Sequence, residues 1–301
     1  MTVIVNMISR ADIVSNLYGI LAQQKNSLLD LIWEQHHFHE KRRWSALDMI
    51  GVIDIENLSE MDKVNLWNAG RAELTTKPGA DRLARLADNE CRRWQDRNPV
   101  VAKVMQACGT WSRYWNEEES FHEMTLNHLS SLLGLEPVSD EILIEFRKIF
   151  PDDDMLRTLV LLAISEITAT VNYSWCASVA QDIGLRKLFK QIAADESQHM
   201  TYFISFAKAL VDSKEYSPKG AFAVAHLFLR EGGELYGSKR QAVERRDSHV
   251  NWWDALKYEM VIPDNVERKQ GLIFSALRQI TGIQVKSATE VEEKWLELVG
   301  C

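Results

Sequence analysis

Glu118-Glu119-Ser120-Phe121-His122 and Asp195-Glu196-Ser197-Gln198-His199 repeat one pattern: an acid, a Glu, two residues, then a His. On an α-helix, positions three apart lie about 60° apart around the axis and about one turn along it. A Glu and a His so spaced leave the same face and can grip one metal ion. Two such pairs, joined by one carboxylate from each of two further helices, form the donor set of a carboxylate-bridged di-iron or di-manganese centre in a four-helix bundle. A lone Glu-x-x-His is usually a solvated helix face. Duplication, with an acid before each Glu, points instead to a metal site.

The 301 residues suffice for one large domain or two ordinary ones, and 46% hydrophobic residues with ten tryptophans supply a substantial core. Six prolines and fourteen glycines are few, which suits long helices. A net charge of −8 excludes a global basic field for nucleic acid. Cys91, Cys108, Cys176 and Cys301 show no C-x-x-C spacing, as expected of reduced thiols in a cytoplasmic protein. Met1 to Asn6 lack the basic region and apolar run of a signal peptide. The most apolar stretch, Leu159 to Ile164, meets Glu166 too soon to span a membrane. A soluble intracellular chain is expected.

Helical periodicity dominates and strand alternation is nearly absent. A first amphipathic segment runs from about Asn16 to His37, and a long one from Ser59 to Arg93, interrupted at Lys77-Pro78-Gly79. Another follows Asn98-Pro99 to about Leu133. A short helix is expected from Ser139 to Phe150, then a long one opened by Pro151 and Asp152-Asp153-Asp154. That helix reaches Asp182, turns at Gly184 and returns as Leu185 to Val211. Further helices fall near Ala221–Leu235, Val250–Met260, Val266–Ile280 and Ala288–Val299. The reading is one all-α domain over 1–301, a ferritin-like four-helix bundle with a core at about 59–211 and peripheral helices at 212–301.

Helix lengths locate the remaining ligands. Glu166 lies 18 residues before Gly184 and Glu196 lies 12 after it, about 27 and 18 Å from the turn. The levels agree within roughly two turns once the turn itself is subtracted. Glu166 interrupts an apolar run, and an uncompensated buried carboxylate costs several kcal/mol, so a cation partner is favoured. Glu119 lies 20 residues after Pro99, so an antiparallel neighbour should offer its acid near position 76. Glu73 and Asp81 are in range, and Glu73 is preferred although Pro78 should kink that helix. A metal-bound His usually donates its second N–H to a carboxylate. Asp195 is therefore expected to hold His122, and Glu118 to hold His199. Thr168, Thr170, Met124 and Met200 adjoin the ligands in sequence and are candidates for cavity walls or plain core.

Trp111-Ser112-Arg113-Tyr114-Trp115-Asn116-Glu117-Glu118-Glu119-Ser120-Phe121-His122 resembles the W-x-R-x-W-x-x-E-E-x-x-H helix of soluble acyl-carrier-protein desaturases. Ile192-Ala193-Ala194-Asp195-Glu196-Ser197-Gln198-His199 is similar to their I-A-A-D-E-x-x-H helix, and Ser165-Glu166 takes the place of their isolated Glu. The likeness covers about residues 40 to 210. The Glu73 region fits loosely and the last hundred residues suggest no match. The resemblance implies two irons, bridged by Glu119 and Glu196, with Glu73 and Glu166 as terminal carboxylates and one His per iron. Manganese suits the same donors. It also implies that Trp44 continues an Asp195–His122 relay; a core aromatic is the plain alternative.

The family's chemistry is O₂-dependent desaturation of a fatty acyl chain on acyl carrier protein, with electrons from ferredoxin, in a homodimer. An acidic carrier would need a local basic patch on this acidic chain. Arg186, Lys187 and Lys190 form one candidate and Lys41-Arg42-Arg43 another. The alternative is a di-iron N-oxygenase or hydroxylase, which often adds a third His; His226 and His128 are spare. A radical-generating reductase subunit would want a Tyr where Leu126 stands, and iron storage a shorter chain. His36-His37-Phe38-His39 is a separate candidate metal cluster, more often a solvated helix end.

Overall fold

A computed structural model describes residues 8–23, 26–73, 76–135, 154–230 and 263–300. Four long antiparallel rods form an all-α bundle. The first is a pair of helices in series, α4 (Glu60–Glu73) and α5 (Thr76–Trp94). The others are α6 (Pro99–Leu132), α7 (Met155–Val179) and α8 (Ile183–Asp212). Their starts are written in the sequence. Asn98 Oδ1 accepts from Val101 N at 3.3 Å, with Pro99 in the first turn. Asp154 caps Arg157 N at 2.7 Å and Asp182 caps Leu185 N at 2.6 Å.

α5 and α4 pack along α6, α7 packs along α8, and contacts of α6 with α8 and of α5 with α7 close the bundle. Around it lie α1 (Arg10–Gln23) against α6 and α8, and α2 (Ser27–Arg42) against α6. The short α3 (Ala46–Ile50) touches α6 and α8. On the far side α9 (Lys219–Arg230) covers α7, α10 (Pro263–Thr281) lies against α7 and α8, and α11 (Ala288–Val299) covers α9.

The core is divided. One apolar cluster includes Met105, Trp111, Trp115, Leu159, Ile167, Phe203 and Phe206. A second includes Leu66, Leu126, Leu129, Tyr173, Leu188 and Ile192. The changeover falls between Trp115 and Leu126 on α6, Ile167 and Tyr173 on α7, and Ala193 and Tyr202 on α8. The acid- and His-bearing motifs of α6 and α8 occupy that interval, so a polar layer separates two apolar ones.

Several sequence expectations change. The first segment is two helices, with Asn26 at the N-cap position of α2. The long segment is described as two helices, α4 ending at Glu73 and α5 starting at Thr76, with residues 74 and 75 outside the described residues. Pro78 falls in the first turn of α5, where a missing N–H is tolerated. The turn between α7 and α8 lies at Ala180–Asp182, and Gly184 sits inside α8. A Cβ there would fall 2.3 Å from Val52 O, so Gly184 serves a close approach between chain segments. The helices expected at Ser139–Phe150 and Val250–Met260 lie outside the described residues, as does the end of Ala221–Leu235.

By length and composition the 25-residue helix Met155–Val179, with an 18-residue window of mean hydropathy 1.3, is apolar enough to cross a membrane. In the fold 61% of that window is buried, with Leu159, Ile164 and Ile167 in the core.

Candidate metal centre

Six side chains from four helices meet in the polar layer. Glu73 is the last residue of α4, Glu119 and His122 come from α6, Glu166 from α7, and Glu196 and His199 from α8. Each is at most 5% exposed. They form two groups, Glu73 with Glu119, His122 and Glu196, and Glu119 with Glu166, Glu196 and His199. Within each group the potential ligand atoms lie within 4.8 Å of one another, and Glu119 and Glu196 belong to both. Asp81, the other acid in range, is exposed.

His122 Nδ1 faces Glu196 at 3.4 Å, Glu119 at 3.5 Å and Glu73 at 3.9 Å, and has no hydrogen-bond partner. His199 Nδ1 lies 2.8 Å from Glu119 and 3.0 Å from Glu196. Ligands about 2.1 Å from one ion stand roughly 3.0 Å apart when adjacent and 4.2 Å when opposite. The observed spacings suit donors disposed around an ion. Charge agrees: four buried carboxylates carry four negative charges, which two divalent cations neutralise.

The far nitrogens face acids. His122 Nε2–H donates to Asp195 Oδ2 at 3.2 Å, and His199 Nε2–H donates to Glu118 Oε2 at 2.7 Å. Carboxylates only accept, so these bonds put a proton on each Nε2 and turn each Nδ1 toward the carboxylate cluster. Asp195 is saturated: Trp44 Nε1 donates to Oδ2 at 2.8 Å, Gln191 Nε2 to Oδ1 at 3.2 Å, and Arg42 also to Oδ1. The Trp44 ring stacks near His122, with 6.1 Å between centroids. Glu118 Oε1 meets His39 Nδ1 at 2.9 Å, and His39 Nε2 meets Glu117 at 3.2 Å.

Proton affinities follow from this crowding. Burial, then the charges of Glu119 and Glu196, push Glu73 well above the usual carboxylate range. Glu166 rises for the same reasons, with Glu196 the larger neighbour. Burial opposes ionisation of Glu119 too, but the nearby His122 and His199 rings outweigh it and hold Glu119 well down. Burial resists a charge on the two rings, yet bonds to Asp195 and to Glu118 raise His122 and His199 well above the imidazole range. Without a cation, protons neutralise the cluster.

Other expected residues fall elsewhere. Arg42 turns inward to Asp195 and Arg43 pairs with Glu117, which removes Lys41-Arg42-Arg43 as a free basic patch. Lys187 and Lys190 are exposed, whereas Arg186 is half-buried and donates to Ala180 O at 2.8 Å. Met124 is 68% exposed and lines nothing. Met200 packs on the core, and half-buried Thr168 bonds back to Ile164 O at 3.1 Å. The hydroxyl of Thr170 is buried without a partner. His128 is exposed and His226 stacks on Trp295, so neither joins the cluster. In the His36-His37-Phe38-His39 run, His39 is buried against carboxylates.

Three participants were not foreseen. Tyr173 donates a hydrogen bond to Glu73, and Trp115 Nε1 donates to Glu119 at 2.8 Å. Both are readable in hindsight, since Tyr173 lies seven residues after Glu166 and Trp115 four before Glu119, each on its ligand's face. His39 carried no such signal, because its partner is remote in sequence. The chain matches no protein-family model, no curated protein and no solved structure.

Proposed function

We propose that this chain is an O₂-dependent di-iron oxidoreductase that desaturates a fatty acyl chain carried on acyl carrier protein. The observation that carries the reading is the pair of buried Glu/His groups sharing Glu119 and Glu196. Two donor sets with a common edge suit two adjacent ions better than one. Glu73 and His122 would hold one ion, Glu166 and His199 the other, and Glu119 and Glu196 both. Reduced irons held by carboxylates and imidazoles supply reductive activation of O₂ and an oxidant able to break an unactivated C–H bond.

The chain's own residues set the conditions for that chemistry. Asp195 and Glu118 fix ring orientation and keep each Nδ1 lone pair inward. Apolar layers on either side exclude water. Trp44, partly exposed and bonded to Asp195, links the surface to His122 and is the proposed entry for electrons from a ferredoxin-type donor. Lys187 and Lys190 at the start of α8 are the proposed contacts for an acidic carrier. Desaturation converts CH₂–CH₂, O₂, two electrons and two protons into CH=CH and two waters, so electrons and protons must both reach the centre.

Metal analysis of the purified protein tests the site. About two irons per chain, lost in Glu166→Ala, is the expected result; no iron or manganese above background overturns it. Incubation of the reduced protein and O₂ with acyl-carrier-protein conjugates and with free amines tests the reaction. Amine oxidation without turnover of any conjugate would replace the desaturase reading with N-oxygenation.

A further inference from the structure

The two histidines have unlike backgrounds. Behind His122, Asp195 is 2% exposed and every oxygen is engaged by protein donors. Behind His199, Glu118 is 12% exposed and borders a cleft between α2, α6 and α8. Gln35, His39, Gln198 and Tyr202 line that cleft, which has about 10 Å³ of free volume. Three of its polar atoms lack partners: Gln35 Oε1, Gln198 Oε1 and the Tyr202 hydroxyl. Gln35 and Tyr202 are 1% and 4% exposed, so bulk solvent does not satisfy them. Gln35 Nε2 donates to Ala107 O at 3.5 Å, which leaves its oxygen as the unengaged end.

Buried polar atoms without partners are costly, and their types specify the partner that fits. Two amide oxygens need donors, and a phenol needs an acceptor. One water provides two donors and accepts the third bond, the usual number for a buried water, and about 10–15 Å³ is the room one requires. We propose that this cleft binds an ordered water behind His199 and is the port through which the Nε2–H of that ring exchanges with solvent. The proposal rests on the di-metal reading, in which His199 is a ligand through Nδ1 and holds its proton on Nε2. It makes the two halves unequal: the His199 half is wet at its back, and the His122 half is sealed.

The test uses the cobalt(II)-loaded protein and proton NMR, where the Nε2–H protons of metal-bound rings are shifted out of the main spectrum. Contacts to Trp44 assign His122 and contacts to Trp111 assign His199, since those rings adjoin them. On transfer to D₂O the His199 proton is expected to exchange about tenfold faster or more than that of His122. Gln35→Met and Tyr202→Phe, made separately so that one failure to fold is not decisive, should each slow His199 toward His122. Neither should alter the rate of His122. Equal rates in the unaltered protein, or a His199 rate unmoved by both variants, overturn the port while leaving the metal reading intact. Absence of any shifted ring proton overturns the metal reading and the port with it.

Discussion

Tyr173 on α7 donates its phenolic hydrogen to Glu73 at the end of α4, tying together two helices a hundred residues apart in sequence. Burial and the charge of Glu73 push the phenol well above its ordinary range, so it remains a donor. A partner that orients a ligand commonly contributes about 10- to 100-fold in metal affinity. Tyr173→Phe should weaken binding of iron(II) or manganese(II) by that order, measured by anaerobic titration of the metal-free protein. An unchanged isotherm would remove Tyr173 from the site.

The pH dependence has a definite sign. Glu73, Glu166, His122 and His199 all have raised proton affinities in the folded chain. Above the ordinary values, about 4.3 for Glu and 6.5 for His, the unfolded chain releases protons that the fold retains. Metal-free stability therefore falls as pH rises toward the folded values. Glu119, Glu118 and Asp195 are lowered, so their contribution is present above the carboxylate range and is lost as pH falls through their folded values. Ligand deprotonation favours metal at high pH. Thermal melts between about pH 6 and 9 should show a metal-free Tm that declines and a manganese-induced gain that grows. A gain independent of pH would contradict this proton-for-metal exchange.

Two neighbouring arginines should behave differently. Arg42 is 18% exposed and compensates Asp195, itself 2% exposed, while Arg43 and Glu117 are 45% and 37% exposed. Breaking a buried pair leaves an uncompensated charge, at roughly 3–5 kcal/mol, whereas surface pairs contribute about 0–1 kcal/mol. Arg42→Ala should lower stability to urea by about 3 kcal/mol, and Arg43→Ala by less than about 1 kcal/mol. Equal effects would show that Asp195 finds another cation or water.

Gly184→Ala separates packing from metal binding. The added methyl would sit 2.3 Å from Val52 O and 2.6 Å from its carbonyl carbon, both backbone atoms. Overpacking of this kind costs about 1–3 kcal/mol. The start of α8 should shift from the Val52 segment, lowering the urea midpoint with metal stoichiometry retained. An unaltered midpoint would mean that the segment yields freely.

Much of this architecture is legible in the chain. The caps Asn98, Asp154 and Asp182 and the apolar periodicity specify where the long helices begin and which face each buries. Spacing alone puts Glu119 with His122 and Glu196 with His199, because positions within one helix are locked by its own hydrogen bonds. Length counting narrows the first helix to Glu73 or Asp81 and prefers Glu73, without fixing which one faces the cluster. What Pro78 does to its helix depends on where α5 begins, which is not a local property.

Relations between helices were decided only in three dimensions. Glu73 faces the cluster and Asp81 faces solvent because of how α4 and α5 lie against α6. Arg42 serves Asp195 rather than a partner, and His39 meets Glu118, because α2 lies along α6. Helical periodicity prescribes the angle of a side chain about its own axis. It is silent on the rotation and height of one rod against the next, which follow from packing among all of them. Ligand pairs within a helix could be read from the amino acids; the enclosure, its supporting acids and the cleft behind His199 came from the assembled bundle.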